Sequence, residues 1–442
     1  MARASRPVLR GCGALPLSRT AVGGRLDVHL SGRRVGGVER RGPDRYRFQY
    51  ATDVVERHEA GSLLLSASLP VRKETFSPSE SRPFFEGLLP EGAVRATIAR
   101  SLGLSEGNGF GLMAELGAEC AGAVVIVPVG EEPPEPGEGS IRWLDDSALA
   151  RAVAELPRHP LGISAGDEIR LSLGGVQQKL VLTRAPSGRL GQPLGGAPST
   201  HILKPEHESY EQLVANEAFC LRVARCARLR VAAAQIVEVG GRPCLLVERF
   251  DRTLDGGGRI VRLHQEDACQ ALGRLPTQKY EAEGGPGFTE LIQLLRDVGG
   301  PATARGITEL LDAAAVNLLL GNSDAHAKNF ALLYDEAEGV QLSPLYDLVS
   351  TNVYDGLTRR LAMSIGGVYE PDEVDAAAFA RLAAEAGVGR QLVRRAQSRA
   401  DIVLECARAE REAAIAEGWH EPIVDRIVDL CESRRRQLAD PP

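Results

Sequence analysis

The chain has 442 residues, a length that accommodates roughly three domains or lobes. Apolar residues make up 43% and charged residues 25%, an ordinary globular composition. With 52 Lys and Arg against 59 Asp and Glu, the net charge is −7. That excludes coating of nucleic acid by bulk charge, which needs a cationic excess, and leaves room only for a local basic patch.

Residues 1–24 are rich in Arg and Gly without a clear period and read as a disordered tail. Residues 25–50 alternate apolar and polar side chains between glycine breaks, which predicts short strands. A further strand is expected at 62–69, helices at 95–102 and 110–116, and a buried strand at 123–129. Together these form an N-terminal α/β subdomain over 25–138. The run EEPPEPGEG at 131–139 cannot bury and reads as a linker. Asp146 or Ser147 can cap a helix reaching about Leu156.

Residues 139–255 read as a kinase-like nucleotide-binding lobe, β-rich from Arg170 to Asp251, with strands expected at 171–173, 179–183, 201–204, 235–239 and 244–248. A helix at 210–227 interrupts them. Strands with one helix after the third follow the order of a kinase-type nucleotide lobe, although fold does not fix function. Residues 256–442 read as a helical lobe, with helices at 264–273, 287–298, 306–320, 375–386, 390–415 and 421–438. In the last, Arg434, Arg435 and Arg436 suit the helix C-terminus and read first as a solvated face. The fold class is therefore α+β, a bilobal core with an added subdomain. No run of about 18 apolar residues exists, so no transmembrane helix is predicted. The eight cysteines form no C-x-x-C pair, so a disulfide framework or Cys-rich zinc site is not expected. Buried free thiols in a reducing cytoplasm are the expectation.

The densest polar constellation is Gly321-Asn322-Ser323-Asp324-Ala325-His326-Ala327-Lys328-Asn329-Phe330. So many polar side chains in a short stretch are costly if buried without a task. Asp324 and Asn329 have the spacing of a kinase catalytic loop, where an Asp takes the substrate hydroxyl proton and an Asn holds a metal ion. Lys328 is placed to neutralise the transferring phosphoryl group. Alone, the segment also reads as an Asn/Asp-rich turn after an apolar helix. Asp347, eighteen residues beyond Asn329, would complete a Mg²⁺ site of hard oxygen ligands. Lys204 closes a strand and can reach ATP phosphates, with Glu217 orienting it; by itself a strand-end Lys is more often exposed. The turn Gly174-Gly175-Val176-Gln177, followed by Lys179, can cradle phosphates through backbone N–H groups. It matches neither standard glycine-loop motif, so on spacing alone it reads first as a plain hairpin turn. Glu248 and Phe250 flank a strand-end hinge of the kind that meets an adenine.

These residues, with Phe84-Phe85-Glu86-Gly87-Leu88-Leu89-Pro90-Glu91-Gly92, Glu119-Cys120-Ala121-Gly122-Ala123, Val247 to Arg252 and Arg262-Leu263-His264-Gln265-Glu266-Asp267, make the chain resemble HipA-type serine/threonine kinases from about Arg25 onward. The resemblance implies Asp324 as base, Asn329 and Asp347 as Mg²⁺ ligands, and Lys204 as the ATP-phosphate lysine. It implies Ser172 as a self-inhibitory autophosphorylation site. It also implies a small HipB-like helix-turn-helix antitoxin, DNA contact only through that partner, and a protein substrate, among which an aminoacyl-tRNA synthetase is known for the family. Gly174 departs from the Ala or Pro common there, and the 1–24 segment has no counterpart. A small-molecule phosphotransferase and a catalytically silent regulator are the competing classes.

Overall fold

The computed structural model describes residues 24–133, 140–163, 171–174, 177–335, 339–389 and 391–439. Most of the 1–24 segment and residues 134–139 of the expected linker lie outside these.

The N-terminal part contains β1 (Arg25–Leu30), β2 (Arg33–Arg40), β3 (Tyr46–Tyr50), α1 (Thr52–Arg57), α2 (Pro78–Gly87), α3 (Gly92–Ser101), α4 (Gly109–Leu116) and β4 (Val124–Pro128). The strands form one antiparallel sheet in the order β3-β2-β1-β4. Its core is rich in buried aromatic rings, with Phe48 packed among Tyr50, Phe76 and Phe85. The strand expected at 62–69 is instead a loop with a single Ser66–Leu69 bridge. Helix α2 starts with a capping box: Ser77 accepts from the Glu80 N–H, and Glu80 accepts from the Ser77 N–H.

The second sheet contains β5 (Ser140–Trp143), β6 (Leu180–Arg184), β7 (Leu190–Leu194), β8 (His201–Pro205), β9 (Ala234–Val239) and β10 (Arg242–Glu248), in the order β5-β7-β6-β8-β10-β9. Helix α5 (Asp146–Glu155), capped by Asp145, and helix α6 (Leu213–Cys226) accompany it. The strand expected at 171–173 is reduced to one parallel bridge, Leu171 to Glu119. The hairpin β11 (Arg252–Leu254) and β12 (Ile260–Arg262) follows. The division expected at 255 falls in its turn, where the Asp255 N–H donates to Arg259 O.

Next come β13 (His264–Asp267), α7 (Ala268–Ala271), α8 (Phe288–Val298), α9 (Thr303–Leu320), β14 (Ala331–Asp335), β15 (Gly339–Leu342), α10 (Ala376–Glu385), α11 (Gln391–Glu417) and α12 (Pro422–Ala439). The helix expected at 264–273 is mostly strand, because His264 to Asp267 pair with β14 and only four residues remain helical. Helix α9 is buried along most of its length and ends at Gly321, in the left-handed region at φ 71°. That left-handed backbone favours glycine at the cap, and a Cβ there would also displace the Leu430 side chain, 2.3 Å from its Cδ2.

Two expectations about side chains are corrected. Cys226 and Cys406 form a disulfide between α6 and α11, with Cα atoms 5.7 Å apart. The long helix α11 packs on α6 and brings together two cysteines 180 residues apart, a closeness invisible to sequence spacing. Cys120, Cys220, Cys244, Cys269 and Cys431 are buried free thiols. Arg434 is not on a solvated face: it is 1% exposed and paired with Asp372 at 2.6 Å.

The N-terminal subdomain is locked to the core by a buried charge cluster. Glu119 Oε1 accepts from Arg252 at 2.8 Å and Arg249 at 3.3 Å, and Oε2 accepts from Arg262 Nε at 2.8 Å. Ser199 adds its N–H and hydroxyl to the same carboxylate. Burial alone would raise the Glu119 pKa, but the three guanidinium groups outweigh it and hold the carboxyl at about 2. A depressed folded-state pKa contributes stability above the unfolded value of about 4.3 and loses it as pH falls toward 2. Glu119→Ala should cost about 3–5 kcal/mol in urea unfolding at pH 7, because it strands buried cations. Its unfolding midpoint should also vary less between pH 4.3 and 2 than that of the wild type.

Candidate active site

A cavity of 930 Å³ lies between the β5–β10 sheet and the helical lobe. Its walls include Gly174, Gln177, Lys179, Lys204, Glu217, Glu248, Phe250, Asp324, Lys328, Asn329 and Asp347, so the residues singled out from sequence converge here. Gly175 and Val176 lie outside the described residues. Glu91 also lines the cavity, supplied by the N-terminal subdomain.

Lys204 stands on β8, whose pairing with β10 fixes it against the cavity. It is 7% exposed, not the open strand-end side chain that its position suggests. Its ammonium donates to Glu217 Oε1 at 2.7 Å, from α6, and to Asp347 Oδ1. Burial would lower the Lys204 pKa, but Asp347 and Glu217 raise it above its ordinary value. Burial raises Glu217, while Asp347, where desolvation also pushes upward, is held below the ordinary carboxylate range by Lys204. Asp347 has φ 53°, a left-handed backbone that Asp tolerates and that occurs at functional sites. Lys179 donates to Gly174 O, and burial beside Lys204 and Lys328 lowers its pKa to about 8.

The catalytic-loop candidate follows α9 as a turn, with a short 3₁₀ segment at Ala327–Asn329. Asp324 is exposed to the cavity, and its Oδ1 accepts from the Tyr280 hydroxyl at 2.8 Å. Partial desolvation raises its pKa, opposed by that hydrogen bond and the charge of Lys279. Lys328 is not isolated: its ammonium lies 2.6 Å from Asp267 Oδ2 and 3.5 Å from Glu91 Oε1. His326 is buried, and burial together with Lys279 and Lys328 lowers its pKa to about 3, so the ring is neutral.

Phe250 and Tyr346 pack with ring centroids 5.4 Å apart on the cavity wall. The Glu248 N–H donates to Ala233 O, so that amide is already taken, and the Arg249 side chain turns inward to Glu119 and Asp251. Ser172 is not in the cavity lining. It is fully buried, its hydroxyl donating to Leu88 O at 2.6 Å and its N–H to Glu119 O at 2.7 Å.

Among the described residues, no group of three or more His, Cys, Asp or Glu side chains is placed to hold a metal ion. Magnesium does not need one, since it binds through one or two protein oxygens with phosphate and water. Asn329 and Asp347, which line the same cavity, are oxygen donors of that kind.

Sequence reasoning missed Tyr280, Asp267 and Glu91 as parts of the site. Asp267 and Glu91 belong to runs noted for their resemblance, but nothing local showed their shared contact with Lys328. Tyr280 lies in a loop with no motif around it.

A β-rich nucleotide lobe and a helical lobe enclosing Lys, Glu, Asp and Asn side chains in this order define a kinase-like bilobal enzyme. Residues 26–127 match the HipA N-terminal domain, and residues 171–413 match the HipA-like C-terminal domain. The serine/threonine-protein kinase toxin HipA of Shewanella oneidensis is 32% identical over 381 residues, covering 83% of this chain and 84% of that protein. The Y4mE protein of Sinorhizobium fredii is 43% identical over 374 residues, 84% of this chain and 87% of its own length. The solved complex of Shewanella oneidensis HipA, HipB and operator DNA contains a chain that superposes with a TM-score of 0.76 at 29% identity, covering 93% of this chain and 97% of that one. The chain belongs to the HipA family and is a serine/threonine-protein kinase.

The buried Lys204 pair sets a stability test. Lys204→Ala leaves Glu217 buried without its cation, a loss of about 1–3 kcal/mol in chemical unfolding. Adding Glu217→Gln to Lys204→Ala should recover part of that loss, because no buried charge then remains unpaired.

Proposed function

We propose that this kinase uses Mg-ATP to phosphorylate a serine or threonine of a protein substrate, and that it is the toxin of a toxin–antitoxin pair. The observation that carries the reading is the meeting of Lys204, Asp324, Asn329 and Asp347 on one cavity. Lys204, oriented by Glu217, binds the α- and β-phosphates. Asn329 and Asp347 hold the metal, which screens phosphate charge when bound. Gly174, Gln177 and Lys179 line the part of the cavity assigned to the phosphates, and Glu248 and Phe250 the part assigned to the nucleobase. Asp324 takes the proton from the acceptor hydroxyl as that oxygen bonds to the γ-phosphorus. The bond from the γ-phosphorus to the bridging oxygen breaks, and its electron pair leaves on ADP. Lys328, shared with Asp267 and Glu91, gives a fixed cation beside the transferring group.

The solved HipA relative is complexed with HipB and operator DNA. By that likeness, the partner proposed here is a small helix-turn-helix antitoxin, with DNA engaged through it. A cytoplasmic location goes with this reading; among the described residues, no helix is long and apolar enough to cross a membrane.

Asp324→Asn should lower phosphate transfer from γ-labelled ATP by on the order of 10²–10⁴ while leaving the melting temperature near that of the wild type. EDTA should abolish wild-type transfer and added Mg²⁺ restore it. Turnover of the variant within about threefold of wild type would sink the assignment of the base.

We further propose that phosphorylation of Ser172 switches the enzyme off. A phosphate brings about −1.5 to −2 charge and three acceptor oxygens. The Ser172 hydroxyl now donates to one carbonyl and its amide to another, so the modified residue cannot keep this burial. Ser172→Ala should show no phosphate on that peptide by mass spectrometry and should lose activity more slowly during preincubation with Mg-ATP.

A further inference from the structure

The hydrogen bond between Tyr280 and Asp324 joins two loops that the sequence separates by 44 residues. The Tyr280 loop is fixed on both sides. The Ala327 N–H donates to Lys279 O at 3.3 Å, and the Glu281 N–H donates to Ala362 O at 3.0 Å. The Glu281 carboxylate also accepts from the Ser364 hydroxyl at 3.0 Å and from the Ser364 N–H. The Ala362 N–H in turn donates to Ser323 O at 2.8 Å, next to Asp324 itself. The Tyr280 ring packs edge-on against His326, centroids 5.4 Å apart, and the Lys279 ammonium lies 5.4 Å from the same ring.

We propose that Tyr280 is a positioning residue for phosphate transfer: its hydroxyl holds Asp324 Oδ1 so that Oδ2 faces the acceptor hydroxyl. The inference rests on the reading of Asp324 as the base. An exposed Asp side chain otherwise turns about χ1 and χ2, and a base acts only when aimed at the proton it takes. The donor comes from a loop that the backbone bonds hold in place, so the aim is set before substrate arrives. A phenol in this position has a second consequence. It donates to the ionised carboxylate and thereby favours the form that accepts a proton. Lys279 acts in the same direction through its charge, whereas Asp347 acts against it. His326, the remaining neighbour on this side, stays neutral and contributes packing to the ring.

Tyr280→Phe removes one oxygen and keeps the ring and its contact with His326, so it should fold as the wild type does. The expected result is a fall in kcat on the order of 10-fold, with the KM for ATP and the apo melting temperature unchanged. A kcat within about twofold of wild type would overturn the proposal. So would a fall in kcat matched by a lowered melting temperature or a raised KM for ATP, which marks a scaffold role. Asp324→Asn measured in parallel separates the two readings. If Asp324→Asn stays active, the base assignment fails and this proposal with it. If Asp324→Asn is inactive and Tyr280→Phe is wild-type-like, only the positioning role fails.

Discussion

A buried ammonium group must be compensated, and the way Lys204 is compensated organises the cavity proposed to take the nucleotide. Water is nearly excluded from its head, so carboxylates have to take its place. One comes from α6 and the other from the turn after β15, so three distant parts of the chain meet at a single nitrogen. The pairing fixes α6 against the sheet and places Asp347 on the cavity wall. It also leaves both carboxylates dependent on the cation: Glu217 is fully buried, and Asp347 owes its lowered pKa to the lysine. The Asp347 side chain is 49% exposed, so a phosphate that draws Lys204 away would leave it open to water and to the proposed divalent cation.

The N-terminal subdomain takes part in the same electrostatic design. Glu119 faces Arg249, just after β10, and Arg252 and Arg262, which pair across the β11–β12 hairpin. Asp251, bonded by Arg249 and by the Gly122 N–H, ties the segment between β10 and β11 to the same loop. The subdomain also donates the Ser66 hydroxyl and the Ala67 N–H to Glu266 on β13, and its Glu91 approaches Lys328. Because Ser172 bonds to Leu88 and Glu119, the residue proposed to control activity is held by this subdomain and not by the nucleotide lobe alone.

Periodic elements and the spacing of chemically active side chains were legible in the sequence. Strands β8, β9 and β10, helices α8 to α12, and the Asp324 to Asn329 separation follow from local pattern, because alternation and helical period are read within a few residues. Contacts across the chain were not. The 264–267 segment carries helix-compatible residues, yet pairing with β14 makes it a strand, and tertiary hydrogen bonding outweighs weak propensity. The Cys226–Cys406 pair and the Arg434–Asp372 pair join helices to distant partners, so neither leaves a trace in spacing. Helix α2 is different: Ser77, Pro78 and Glu80 spell a capping box and an N-terminal proline, a local signal that was present and passed over.

The buried head of the polar run after α9 is held by side-chain hydrogen bonds. Asn322 is buried, and its side chain serves three partners. Its Nδ2 donates to Asn317 Oδ1 at 2.8 Å and to Asp347 O at 3.4 Å, while its Oδ1 accepts from the Asp324 N–H at 3.2 Å. Ser323 completes the turn by donating its hydroxyl toward Asn352 Oδ1 and Arg359 O. A single amide thus spans the loop that carries the proposed base and the loop that carries the proposed metal ligand. Those two bonds tie the loops to each other through one side chain. Asn317 sits on rigid α9, with its own amide donating to Ala313 O, so the reference point for both loops is a helix buried in the core. Buried hydrogen bonds of this kind rigidify what they join. Here that rigidity falls on the backbone that carries Asp324, the proposed base, and Asp347, a proposed metal ligand.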